Sequence, residues 1–150
     1  MKFKFRLQAV LEQRERRETQ AQQTLAQSQA ALGRAETLLG EMREVRQALL
    51  DELCRQRAGA FDAPFDTMET RLYQDYMQVI TQSIAEQEAD IRALQISCAA
   101  HQLHLIGTAR DKQALVSVRD RHQQAHTRLG LKIEQAAMDE LATTRFNHKG

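Results

Sequence analysis

The chain has no tryptophan, one proline, Pro64, and six glycines in 150 residues, and its only cysteines are Cys54 and Cys98. Two thiols are too few for a disulfide scaffold or a four-thiolate zinc site, and a reducing cytosol fits them best. No stretch approaches the roughly 20 apolar residues that a membrane-spanning helix needs. The start "MKFKFRLQAVL" is positively charged, but its apolar run gives way at once to "EQRERRE", which does not read as a secretory signal. A formal net charge of +1 excludes a strongly basic nucleic-acid binder and an acidic disordered tail alike.

What remains is Ala, Gln, Leu, Arg and Glu, side chains that lose little freedom in a helix. Alternate steps of four and three from Leu7 reach Leu11, Arg14, Glu18, Ala21, Leu25, Ser28, Leu32, Ala35, Leu39, Met42, Arg46, Leu49 and Leu53, and ten of these fourteen positions are apolar. A mean step of 3.5 residues is the seam of a left-handed coiled coil. The pattern predicts a helix from about residue 4 to about residue 57.

"RAGAFDAPFD" then interrupts it. Gly59 can end a helix, Pro64 cannot continue one, and Asp66 with Glu69 reads as a capping box, so a turn is predicted over about 58–66. A second helix is predicted over about 67–144. Its seam runs Ile80, Ile84, Gln87, Ile91, Leu94, Cys98, His101 and Leu105, falters through "GTARDK" and "RDRHQQAH", and resumes at Leu129, Ile133 and Ala136. Gly107 and Gly130 each cost about 1 kcal/mol against alanine and mark weak points.

The expected fold is all-α, a single long antiparallel two-helix coiled-coil hairpin over residues 1–150. At a rise of about 1.5 Å per residue the helices span roughly 80 and 115 Å. Folding near residue 62 uses up the first helix opposite residue 120 or so, and the C-terminal segment overhangs, carrying Leu129, Ile133, Met138 and Leu141. The same folding sets Cys54 and Cys98 too far apart for a disulfide. Charge is polarised: residues 1–35 carry +4, residues 36–105 carry −6 and residues 106–150 carry +3. Doubling back would place both basic segments at one end, and two unlike ends suit two partners.

Chemistry is sparse. His122 and His126 in "HQQAH" have the four-residue spacing of helical zinc ligands, but Gln123 stands where a metalloprotease needs a glutamate base, and His101 and His104 lie about 30 Å away along the helix. They read as surface histidines on a glutamine-rich helix. Asp139 and Glu140 are adjacent, so they face different directions and cannot form an acid/base pair. There is no glycine-rich phosphate loop and no nucleophile elbow, and two helices offer no pocket that excludes water, so neither an enzyme nor a cofactor is expected. "RERR" before a heptad run suggests a basic-zipper arm, but Glu12, Glu15 and Glu18 interleave with Arg14, Arg16 and Arg17, which argues against nucleic acid and for surface pairs and protein contacts. Tyr73, Tyr76, Met77 and Ile80 exceed what one seam can use; they read as packing that closes the hairpin or as a docking patch.

Three stretches together, "FKFRLQAVLEQRERRE", "YQDYMQVITQSIAEQEADI" and "EQAAMDELATTR", resemble the FliJ family, the coiled-coil component of the bacterial flagellar type III export apparatus. The resemblance implies a non-enzymatic, stalk-like rod, cytoplasmic and peripheral to the inner membrane. Its terminal end would enter the hexameric export ATPase and promote ring assembly and activity. On this chain that end comprises Phe3, Phe5, Arg6, Leu7, Arg14 and Arg17, with Met138, Asp139, Leu141 and Arg145 on the overhang. The resemblance also implies contact with the cytoplasmic domain of the export gate through Leu49, Leu53, Tyr76, Ile80, Ser83 and Gln87. Because Leu49, Leu53 and Ile80 are also seam positions, Tyr76 is the favoured member. Export chaperones are a further implied partner that no residue here places. Stalk proteins of virulence-type secretion are similar in shape, but the opening and closing motifs read closer to the flagellar branch. The competing reading is a structural adaptor that tethers two proteins without affecting ATP turnover. With Arg14, Glu18, Arg46 and histidines in its seam, the hairpin is expected to be marginally stable and to fray at its open end.

Overall fold

A computed structural model describes residues 2–59 and 67–148, which form two long helices packed against each other. Helix α1 spans Gln8–Gly59 and α2 spans Thr67–Asn147, and no strand occurs among the described residues. The chain divides into two compact units. Unit 1 comprises Met1–Ala21 with His104–Gly150, and unit 2 comprises Gln22–Leu103. Pro64 and the Asp66 cap lie outside the described residues.

The heptad frame predicts burial well. Of the α1 seam, Leu11, Ala21, Leu39 and Leu49 are buried and the rest half-buried; Leu7 alone is exposed. In unit 2, Leu39, Leu49, Ile80, Ile84 and Ile91 form a continuous core, with Leu32, Ala35, Met42, Tyr73 and Met77 packed around it. Tyr73, Met77 and Ile80 thus serve the helix pair, and Tyr76 is left outside. Polar seam positions find partners across the pair. Gln87 Nε2 donates to the Ala35 carbonyl at 3.0 Å, and Ser28 Oγ and Cys98 Sγ lie 3.1 Å apart. Thr70 Oγ1 donates to Gln56 Oε1 at 3.3 Å. These pairs bracket the register expected from a fold near residue 62, each within about two residues of it. Cys54 and Cys98 are both free thiols.

In unit 1 the α2 seam does not stop where its apolar residues run out. Thr108, Lys112, Leu115, Arg119 and His126 are all half-buried and keep the heptad spacing from Leu105. Polar groups occupy the seam there and pair with their opposites. Lys112 Nζ lies 2.5 Å from the Glu18 carboxylate, whose side chain is only 14% exposed, and Arg14 reaches Asp111 at 3.1 Å. Among the described residues no buried side-chain nitrogen or oxygen lacks a partner. Helix α2 passes through Gly107 and Gly130 without a break, and an added Cβ would meet nothing within 4 Å at either.

The start of α1 departs most from the sequence-based expectation. Helix α1 starts at Gln8 and not near residue 4, and Lys2–Phe5 form an extended arm closed by a turn in which the Gln8 amide donates to the Phe5 carbonyl at 3.2 Å. The first turn of α1 contains no acidic residue. Extending the helix backwards would set Arg6, Lys4 and Lys2 at its positive end, where cations are disfavoured.

Candidate functional site

The arm positions the aromatic side chains that open the chain. Along Lys2–Arg6 the aromatics are half-buried and the basic residues exposed, the alternation of an extended segment. Phe3 meets His126 with ring centroids 5.6 Å apart, and Phe5 meets His122 at 6.1 Å with the rings nearly edge to face. The match is geometric. Two extended residues advance about 6.6 Å and four helical residues about 6 Å, so an i, i+2 aromatic pair fits an i, i+4 pair of imidazoles. Beside the arm, Phe3, Lys4, Phe5, Gln8, Arg119 and Gln123 line an open groove of about 480 Å³. His122 and His126, read from the sequence as plain surface histidines, are the seat of the arm. Among the described residues no three His, Cys, Asp or Glu side chains converge on a point where a metal could be held.

The proposed tip residues fall into three environments. Phe3 and Phe5 are engaged with α2, and Arg14 is engaged with Asp111. Arg6 and Leu7 are exposed in the turn before α1, and Arg17 is exposed on α1 itself. Met138, Asp139, Leu141 and Arg145 lie on a stretch of α2, residues 131–147, that is exposed throughout. This stretch is the overhang. Its large apolar residues do not form one stripe. At 100° per residue, Leu129 and Ile133 face one way, Leu131 and Met138 the opposite way, Leu141 lies between them, and Phe146 closes the circle on the other side.

In unit 2 the residues suggested for the gate separate by burial. Leu49 and Ile80 belong to the core, Leu53 and Ser83 are half-buried, and Gln87 is bonded to the Ala35 carbonyl. Tyr76 remains 49% exposed and is not alone. Met68, Leu72 and Val79 share its face of α2, all within about 80° around the axis, and all are exposed. The sequence held the signal for this stripe, since each of Leu72, Tyr76 and Val79 directly precedes a seam residue. No helix among the described residues is long and apolar enough to cross a membrane.

The sequence profile of the family described as "Flagellar FliJ protein" matches residues 3–150. Searches of curated proteins and of solved structures each give no match. The family match spans both helices, the N-terminal arm and the exposed end of α2, and the chain therefore belongs to the flagellar FliJ protein family.

Proposed function

We propose that this component of the flagellar export apparatus is a non-enzymatic stalk whose unit 1 inserts into the ring of the hexameric export ATPase and promotes its assembly and turnover. The carrying observation is the distribution of apolar residues around the C-terminal end of α2. A helix that docks in a groove needs one apolar stripe; a helix whose apolar residues face every direction is suited to being surrounded. Leu129, Leu131, Ile133, Met138, Leu141 and Phe146 meet that description. Unit 1 also carries 14 Lys/Arg against eight Asp/Glu, so an acidic channel lining would attract it. In this reading Arg6, Leu7, Arg17, Met138, Asp139, Leu141 and Arg145 meet the ring, while Phe3, Phe5 and Arg14 hold the tip in shape.

The cytoplasmic domain of the export gate would then lie against the exposed stripe Met68, Leu72, Tyr76 and Val79 in unit 2. Leu49, Ile80 and Gln87 would support it from beneath without touching the partner.

The test is the rate of ATP hydrolysis by the cognate export ATPase with and without the protein. Stimulation by the intact chain is expected. Met138→Ser with Leu141→Ser removes exposed apolar contacts without disturbing the helix pair and should abolish most of it. Phe3→Ala with Phe5→Ala should reduce it by releasing the arm. An unchanged rate with binding retained would overturn the stalk reading in favour of a tether.

A further inference from the structure

Between residues 106 and 133, α2 carries two acidic residues, and both are taken: Asp111 by Arg14 and Asp120 by Arg119. The basic residues of the same stretch are not balanced. Arg110, Arg121, Arg128 and Lys132 are exposed and have no carboxylate partner among the described residues. At 100° per residue all four fall within about 40° of one another, on the side of α2 turned away from its seam. This is an uncompensated basic stripe along α2.

Unit 2 carries its counterpart. On the face of α1 away from its own seam, Glu41, Glu44 and Asp51 are exposed and unpaired with any cation among the described residues; Asp51 accepts only from Gln47 Nε2, at 3.0 Å. The spacings agree when the two helices are set antiparallel. From Lys132 back to Arg128 and Arg121 the steps are four and seven residues, and from Glu41 to Glu44 and Asp51 they are three and seven. With an equal rise per residue, Lys132 then opposes Glu41, Arg128 opposes Glu44 and Arg121 opposes Asp51 together.

We propose that the occupant of the basic stripe is a second copy of this chain, its α1 laid antiparallel along α2 of the first through these three charge pairs. The contact joins unlike surfaces of two copies, unit 1 of one and unit 2 of the other. It is weak, because exposed pairs each contribute little, and it is salt-sensitive, because the screening length falls from about 10 Å at 0.1 M salt to about 3 Å at 1 M.

Sedimentation velocity on the full chain tests this. At about 0.1 M salt the average mass should rise with protein concentration, and at about 1 M it should return to that of the monomer. Replacing Arg121, Arg128 and Lys132 together with Glu turns attraction into repulsion and should weaken association by roughly tenfold or more. So should the set Glu41→Lys, Glu44→Lys and Asp51→Lys. Equimolar mixing of the two variants should restore association as a mixed species, which folding defects could not do. Circular dichroism should show unchanged helicity in both variants. A monomer at low salt, association indifferent to salt or to either set of reversals, or failure of the mixture to reassociate would each overturn the proposal.

Discussion

The two units are built on one heptad frame and filled with different chemistry. Unit 2 sets Leu39, Leu49, Ile80, Ile84 and Ile91 into its seam and carries seven Lys/Arg against 12 Asp/Glu. Among its described residues unit 1 buries only Leu11 and Ala21 and sets ion pairs and imidazole rings beside half-buried Leu105 and Leu115, at 14 Lys/Arg against eight Asp/Glu. Apolar burial stabilises without regard to direction, whereas exposed ion pairs add at most about 1 kcal/mol each. The difference teaches a division of labour. Unit 2 supplies stability, and unit 1 keeps its helices in register while leaving much of its apolar surface uncommitted. A segment so weakly held can order further when a partner encloses it.

The comparison can be broken from either side. The largest effect is expected from Ile84→Ala, which empties a position that is 3% exposed at the centre of the unit 2 core; it should cost about 2–4 kcal/mol in chemical denaturation. A loss below about 1 kcal/mol would mean that unit 2 is not the stable part. Next, Glu18→Leu with Lys112→Leu gives unit 1 an apolar seam like that of unit 2. Replacing a largely desolvated ion pair by packed aliphatic groups is expected to stabilise by about 1–3 kcal/mol. Amide exchange would read the gain locally: in the parent chain residues 1–20 and 125–145 should exchange faster than the unit 2 core, and in the double variant the segment around residue 18 should slow. Equal protection of both units in the parent would remove the contrast. The smallest effect is expected from Gly130→Ala. The backbone there is helical without positive φ and the new methyl meets nothing, so the change should stabilise by about 1 kcal/mol, raising the midpoint of thermal unfolding.

The helix pair was legible in the sequence because the seam recurs every 3.5 residues over more than ten turns, and a signal repeated that often survives single polar interruptions such as Arg14 or Glu18. The exposed C-terminal end of α2 followed from the unequal lengths of the two helices. The polar seam through Thr108, Lys112 and Arg119 was not legible, since a scan for apolar residues registers a gap where Lys112 pairs with Glu18 across the helices, Thr108 donates to the Leu105 carbonyl and Arg119 pairs with Asp120. The exposed stripe around Tyr76 was half legible. Tyr76 stood out as a surplus aromatic, but Leu72 and Val79 became meaningful only once their seam neighbours Tyr73 and Ile80 were seen turned inward.

The sequence by itself therefore determined what depends on local periodicity: two helices, their heptad faces and their mutual order along the chain. Each of these is written in spacings that any stretch of the chain carries within itself. Only the tertiary structure decided what depends on a partner surface. Residues 2–5 could have continued α1, yet they lie extended because three cations oppose a helix start there and because His122 and His126 present two rings at the repeat of an extended chain. The same holds for Glu18 and Lys112, which each read as a flaw in an apolar stripe and become a seam contact only when the other helix brings them together.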